Sequence, residues 1–220
     1  MCGVALICCS DPSDSGSLIG VSKKIISALR DRGPNSEGFW ISPDGDLALC
    51  HTRLSIQGLD SSGSQPIESD NGAWVISFNG EVYNKHLLQA HLANFIGSNY
   101  QPRGSSDTEI LIKYIEKFGL TQALKSIEGM FSIIAYNKNT RKIYICGDKF
   151  GEKPLYYGTI SINSKKYFIA TSDLKTLSCL KVSGLSYNND SISELLYRGY
   201  TSAPFTIYND IYKIEQNNII

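Results

Sequence analysis

The chain opens MCGVAL, placing a thiol, Cys2, directly behind the first methionine. Chain ends normally fray and carry little function, so a nucleophilic side chain there calls for a chemical reason. Removal of Met1, which a small second residue permits, would give Cys2 a free α-amine beside its thiol. A peptide α-amine titrates near ~7.7–8.0 and a free thiol near ~8.5, so close to neutrality a single N-terminal cysteine can supply both nucleophile and base. That economy fits a chain with three histidines, His51, His86 and His91. His86 and His91 fall in NKHLLQAHLAN, a helical stretch that puts them at the surface. His51, beside Arg53 on a strand, stays open as a conventional partner for a cysteine.

A thiolate attacking a carbonyl creates an oxyanion that needs donors already in place. Asn79 and Gly80 can provide them, from the Asn79 amide and the Gly80 N–H. The same Asn-Gly pair between apolar residues is also the strongest short signal for a type I′ hairpin turn, and the two roles are compatible. Arg53 in HTRLSI offers a fork of donors for a carboxylate, or a solvent-facing charge. Asp107 in SSDTE can bind an ammonium group, or simply favour a helix N-terminus.

The elements that must position these residues follow from periodicity. Val4–Cys9 reads as a buried strand, and VSKKIISALRDRG has the apolar spacing of an amphipathic helix. Strands around Gly38–Ile41 and Asp46–Ile56 join through PDGD, and WVISFNGEVYN reads as two strand halves either side of Asn79-Gly80. SSDTEILIKYIEKFG carries a Ser106–Glu109 capping box, an apolar face of Ile110, Leu111, Tyr114, Ile115 and Phe118, and a stop at Gly119. A helix over TQALKSIEG, paired strands in GMFSIIAYNKNTRKIYICGD, strands in PLYYG and KYFIATS, and a short helix near SISELLYRG complete the chain. Hairpin-like strands with grouped helices predict mainly antiparallel sheets of an α+β protein.

Acidic and basic residues balance at 21 each and are scattered, which excludes a basic nucleic-acid footprint. No apolar run has the length of a membrane span, so a cytoplasmic protein is expected. The cysteines lack CxxC spacing, which argues against zinc and against a disulfide framework. Apart from Cys2 they are expected to be small core residues, and acylation of Cys8 or Cys9 is disfavoured by their strand-like setting. No metal site is expected.

Read in order, MCG, RGPNSEG, HTRLSI with a following QP, NGEVYN, SSDTE, EGMFSIIAY and GDKFGEKPLYYG make seven motifs spread over nearly the whole chain. Together they resemble the class II, N-terminal-nucleophile glutamine amidotransferase domain, most closely that of glutamine-dependent asparagine synthetases. The resemblance implies a four-layer αββα sandwich of two antiparallel sheets flanked by helices. It implies that Cys2 attacks the side-chain amide of L-glutamine, that Asn79 and Gly80 form the oxyanion hole, and that Arg53, Glu81 and Asp107 hold the amino-acid head group. The backbone of Leu54, Ser55, Ile56 and Gln57 would line the same pocket. Ammonia would pass to a partner domain or subunit that activates aspartate with ATP and magnesium, neither of which this chain is expected to bind.

Two departures accompany the resemblance. The family's Arg-Gly-Pro-Asp loop reads Arg32-Gly33-Pro34-Asn35 here, removing a charge. The Ser-Gly-Gly-x-Asp-Ser pyrophosphate loop of the synthetase half has no counterpart, so residues 1–220 are expected to be a single glutaminase domain, either a truncated product or a split subunit. A glutaminase serving another acceptor (a hexosamine phosphate, phosphoribosylamine or a polysaccharide carboxylate) and a silent regulatory domain are the competing expectations. A homo-oligomer is compatible with all of them.

Overall fold

A computed structural model describes residues 1–9, 15–55, 63–97, 104 and 106–220, with main chain alone at 15–17. In chain order the elements begin with β1 (Gly3–Cys9), α1 (Ser15–Leu29), β2 (Ser36–Ile41), β3 (Leu47–Arg53), β4 (Ile67–Glu68) and β5 (Trp74–Val82). Three helices follow, α2 (Lys85–Ile96), α3 (Asp107–Phe118) and α4 (Leu120–Ser126), then β6 (Gly129–Asn137) and β7 (Lys142–Gly147). The last part comprises β8 (Tyr156–Ile162), β9 (Lys165–Thr171), α5 (Lys175–Cys179), α6 (Asn189–Arg198) and β10 (Ile211–Lys213).

The strands form two sheets, ordered β10-β8-β9-β1-β3-β2 and β4-β5-β6-β7, and every pairing is antiparallel. Alternation along each strand sorts side chains into three apolar layers. Val4, Leu6, Leu47, Leu49, Val75, Ile134 and Ile145 fill the space between the sheets. Ala5, Ile7, Ala48 and Cys50 face the other way, onto Ile25 and Leu29 of α1. Ile76, Phe78, Ile133 and Ala135 pack against Leu111 and Ile115 of α3. The result is the expected αββα sandwich.

Local signals explain most element ends. The Ser106 hydroxyl accepts the Thr108 N–H at 3.3 Å to cap α3, Glu109 reaches back to the Gly104 N–H at 3.1 Å, and Gly119 closes the helix at φ 81°. His86 and His91 lie on the exposed face of α2, as expected, with His91 stacked on Phe118.

Two expectations are corrected. Asn79-Gly80 is no turn: β5 runs unbroken through it, with Asn79 opposite Ser132 and Gly80 opposite Phe131. The glycine serves contact rather than a positive φ, because a Cβ at Gly80 would overlap the Met130 carbonyl and stand 2.7 Å from the Phe131 Cα. Of the five cysteines expected in the core, Cys9, Cys50 and Cys146 are buried, whereas Cys8 is half-buried and Cys179 is exposed at the end of α5. The short α5 helix presents a solvent-facing position there that local periodicity did not reveal.

Asp148 ties β7 back to the start of β6. It is fully buried, and its carboxylate accepts the N–H groups of Phe131 (3.1 Å), Phe150 (2.9 Å), Glu152 (3.0 Å) and Lys153 (3.0 Å). Burial alone would raise its pKa, but the four donors outweigh it and hold the carboxyl below its ordinary value. A depressed folded pKa contributes stability above the unfolded value, and that contribution is lost as pH falls through the folded one. Asp148→Asn is therefore expected to cost about 2–4 kcal/mol at neutral pH. It should also flatten the loss of stability on acidification, as read from denaturant titrations across pH.

Candidate active site

Side-chain alternation brings three distant segments to one end of the space between the sheets. Cys2 continues the inward-facing series of Val4 and Leu6, Arg53 that of Leu47 and Leu49, and Asn79 that of Val75. They meet at a cavity of about 110 Å³ lined by Met1, Cys2, Arg53, Leu54, Gly63, Gln65, Phe78, Asn79, Gly80, Glu81, Ser106, Asp107, Thr108, Met130 and Lys153.

Cys2 is held from the main chain outward. The Leu54 N–H points at its Sγ at 3.4 Å, and Arg32 Nε donates to its carbonyl at 3.2 Å. Arg32 is fixed in turn by Asp173, 3.8 Å away. The RGPN loop packs along the end of β3: Asn35 takes its own N–H to the Arg53 carbonyl and accepts the Ser55 N–H on Oδ1, both at 2.9 Å. A neutral amide oxygen thus serves as the acceptor for the Ser55 N–H.

The edge of β5 explains the cavity wall. Odd-numbered residues of β5 direct their backbone N–H and C=O groups to β6, whereas even-numbered ones point away, as the Trp74–Ser69 pairing shows. β4 covers that outer edge only as far as Ile76. One rung further, the side-chain Oε1 of Gln65 accepts the Phe78 N–H at 2.6 Å. At the far end, Asp107 Oδ2 accepts the Val82 N–H at 2.9 Å. Between the two capped donors the Gly80 N–H opens toward the cavity.

Beside it stands Asn79, only 2% exposed, whose Nδ2 has no hydrogen-bond partner. A buried amide donor left unsatisfied is costly and rare, and this one belongs to a residue lining the cavity that Cys2 also lines. The opposed Ser132 Oγ on β6 is likewise buried and unpartnered.

Arg53 is 7% exposed and lies against Gly63, where a Cβ would overlap the guanidinium. Asp107 opens α3. Burial raises its pKa, against the opposing pull of the Val82 and Thr108 N–H groups and of Lys85, so a bound cation would draw it back toward the charged form. Met1 also lines the cavity, its Sδ 3.6 Å from Lys153 Nζ, so removing it would both free the Cys2 amine and open the space in front of the thiol.

Of the residues named from sequence, Cys2, Arg53, Leu54, Asn79, Gly80, Glu81 and Asp107 line this one cavity. Ser55 does not line it, its N–H being given to Asn35. Ile56 and Gln57 lie outside the described residues. Gly63, Gln65, Thr108, Met130 and Lys153 line it too; the last four fall inside the quoted motifs without a site role there, and the turn-rich GSQP stretch could have marked the first two. No group of acidic, histidine and cysteine side chains suited to a metal ion occurs among the described residues, and none of their helices is long and apolar enough to cross a membrane.

The profile of the glutamine amidotransferase domain matches residues 1–220. The chain belongs to that family. It is 33% identical over 178 residues to asparagine synthetase [glutamine-hydrolyzing] 2 of Bacillus subtilis, covering 80% of this chain and 22% of that protein. It is 31% identical over 179 residues to amidase chry2 of Gibberella zeae, covering 78% of this chain and 26% of that protein. The chain thus spans about a quarter of the length of these curated relatives. Among solved structures, the glutamine phosphoribosylpyrophosphate amidotransferase of B. subtilis superposes with a TM-score of 0.63 at 17% identity, covering 82% of this chain and 44% of that one. That likeness shows a shared fold.

In this amidotransferase domain the β5–β6 contact at Gly80 leaves no room for a methyl group. Gly80→Ala is expected to lower stability by about 1–3 kcal/mol, through forced separation of the strands, as measured by chemical denaturation.

Proposed function

We propose that this chain hydrolyses the side-chain amide of L-glutamine to glutamate and ammonia, as the glutaminase half of an asparagine-synthase-type amidotransferase. The observation that carries the reading is the meeting of the Cys2 thiol, the unpartnered Asn79 Nδ2 and the buried Arg53 guanidinium in one cavity.

The order of events follows from the chemistry of those groups. With Met1 removed, the Cys2 α-amine takes the thiol proton and the sulfur attacks the amide carbon. Asn79 Nδ2 and the Gly80 N–H receive the oxyanion. The protonated amine returns its proton to the departing nitrogen, ammonia leaves, and a γ-glutamyl thioester remains. Water, deprotonated by the same amine, then releases glutamate. Arg53 binds the α-carboxylate of the substrate, and Asp107 with Glu81 binds its ammonium group.

The two relatives at 31–33% identity leave most of their length unmatched, which supports a separate ATP-dependent polypeptide or segment that accepts the ammonia. Magnesium and ATP belong to that part in this reading. Aspartate is the proposed acceptor, on the strength of the asparagine synthetase relative. No disulfide joins the cysteines among the described residues, in keeping with a reducing, cytoplasmic setting.

Cys2→Ala should abolish glutamate production while ammonia-driven synthesis by the completed enzyme continues; loss of both activities would assign Cys2 a structural role. An uncleaved N-terminal tag should do the same as Cys2→Ala, because acylation removes the base. A fully active tagged enzyme would refute the mechanism.

Asn79→Ala should lower kcat about 10²–10³-fold with little change in KM for glutamine. Arg53→Ala should act oppositely, raising KM by roughly tenfold or more at a nearly constant kcat. Steady-state glutaminase assays separate the two, and the reverse pattern would exchange their roles.

A further inference from the structure

His51 is a buried titratable group that the reaction above does not use. It lies in β3, two residues before Arg53, and is 1% exposed. Its Nε2 is 3.3 Å from the Phe78 carbonyl oxygen. A carbonyl only accepts, so the ring must carry its proton on Nε2 and leave Nδ1 bare. Burial, aided by the nearby Arg53 charge and opposed by the bond to Phe78, moves its pKa down to about 4, so the imidazole stays neutral at physiological pH.

The Phe78 carbonyl belongs to the peptide that leads into Asn79, and the following peptide carries the Gly80 N–H. This stretch lies beyond the reach of β4, so no neighbouring strand fixes its outer edge. Two side chains do so instead. Gln65 Oε1 accepts the Phe78 N–H, while its Nε2 donates to Thr108 Oγ1 at 3.3 Å, beside Asp107. His51 holds the same edge through the carbonyl of that residue. The contacts of the Cys2 sulfur run to Leu54, and the His51 proton is committed to Phe78, so the ring is not placed as a base for the thiol.

We propose that His51 is a positioning residue, whose Nε2–H bond to the Phe78 carbonyl fixes the strand edge that presents Asn79 Nδ2 and the Gly80 N–H to the reacting oxygen. The inference rests on the glutaminase reading. It gives the HTRLSI motif two separate duties, orientation of the oxyanion donors by His51 and substrate binding by Arg53.

The whole chain, freed of Met1, allows two independent tests. Nitrogen-15 spectra of the imidazole should show a neutral, Nε2-protonated ring from about pH 5 to 9. A ring that carries its proton on Nδ1, or that titrates near the ordinary histidine value, overturns the proposal. In kinetics, His51→Leu should reduce kcat for glutamine about 10–100-fold while KM and the rate of Cys2 alkylation by iodoacetamide stay within about twofold, since alkylation forms no oxyanion. His51→Gln, which can place an amide N–H near the same carbonyl, should recover most of the lost kcat. Thermal melting of both variants identifies any loss that comes from unfolding. An unchanged kcat in His51→Leu, or an alkylation rate that falls in step with kcat, refutes the role. A wild-type chain inactive on glutamine removes both this inference and the glutaminase reading, whereas an active wild type with an unaffected His51→Leu removes this inference alone.

Discussion

A strand edge buried at the end of a sandwich has to find partners for its N–H groups, because an orphaned backbone donor away from water costs as much as a lost hydrogen bond. β5 meets that demand rung by rung along its outer edge: Ser69 at Trp74, β4 at Ile76, Gln65 at Phe78 and Asp107 at Val82. Gly80 is the position in this series that faces the cavity. An open donor with capped neighbours on either side is available to a group that enters the cavity. The short length of β4, two residues, is what creates it.

The same edge couples binding to chemistry. Asp107 closes the rung at Val82 and also lines the cavity with its carboxyl group at the start of α3. Gln65 closes the rung at Phe78 and reaches the neighbouring Thr108. A displacement of α3 along its axis would therefore disturb the donors at Gly80 and Asn79 as well as the proposed ammonium contact. On the other side, Asp148 gathers the Phe131 and Lys153 N–H groups on one carboxylate, which ties the strand opposite Gly80 to the main chain at Lys153. Rigidity of this kind is what a preorganised electrostatic site requires.

Much of this was legible in the sequence because it is local. The period of α3, its Ser106 cap and its Gly119 stop, the inward alternation of β1 and β3, and the ordered motifs around Cys2, Arg53 and Asp107 are all written in short windows. Asn79-Gly80 shows where such windows fail. The pair carries a turn signal founded on positive φ, yet Gly80 is small because Met130 and Phe131, some fifty positions away, approach it from β6. Gln65 and Gly63 were overlooked for a related reason. Their duties, to complete a hydrogen-bond rung and to make room for Arg53, exist only once β3, β5 and α3 are assembled. Ser55 fails in the opposite direction, because its backbone is claimed by Asn35 across the RGPN loop.

The unpartnered Asn79 Nδ2 carries an energetic consequence. In the free domain it forgoes a hydrogen bond at a cost of about 1–3 kcal/mol, and Ser132 beside it forgoes another. Folding tolerates the loss because the sandwich on either side is well packed. In the proposed reaction the cost is recovered unevenly. A neutral amide oxygen gains little from the donor, whereas the anionic oxygen of the tetrahedral adduct gains a charge-assisted bond. A donor held unsatisfied in the resting state therefore stabilises the transition state more than the ground state, which is the condition for raising kcat rather than merely tightening binding.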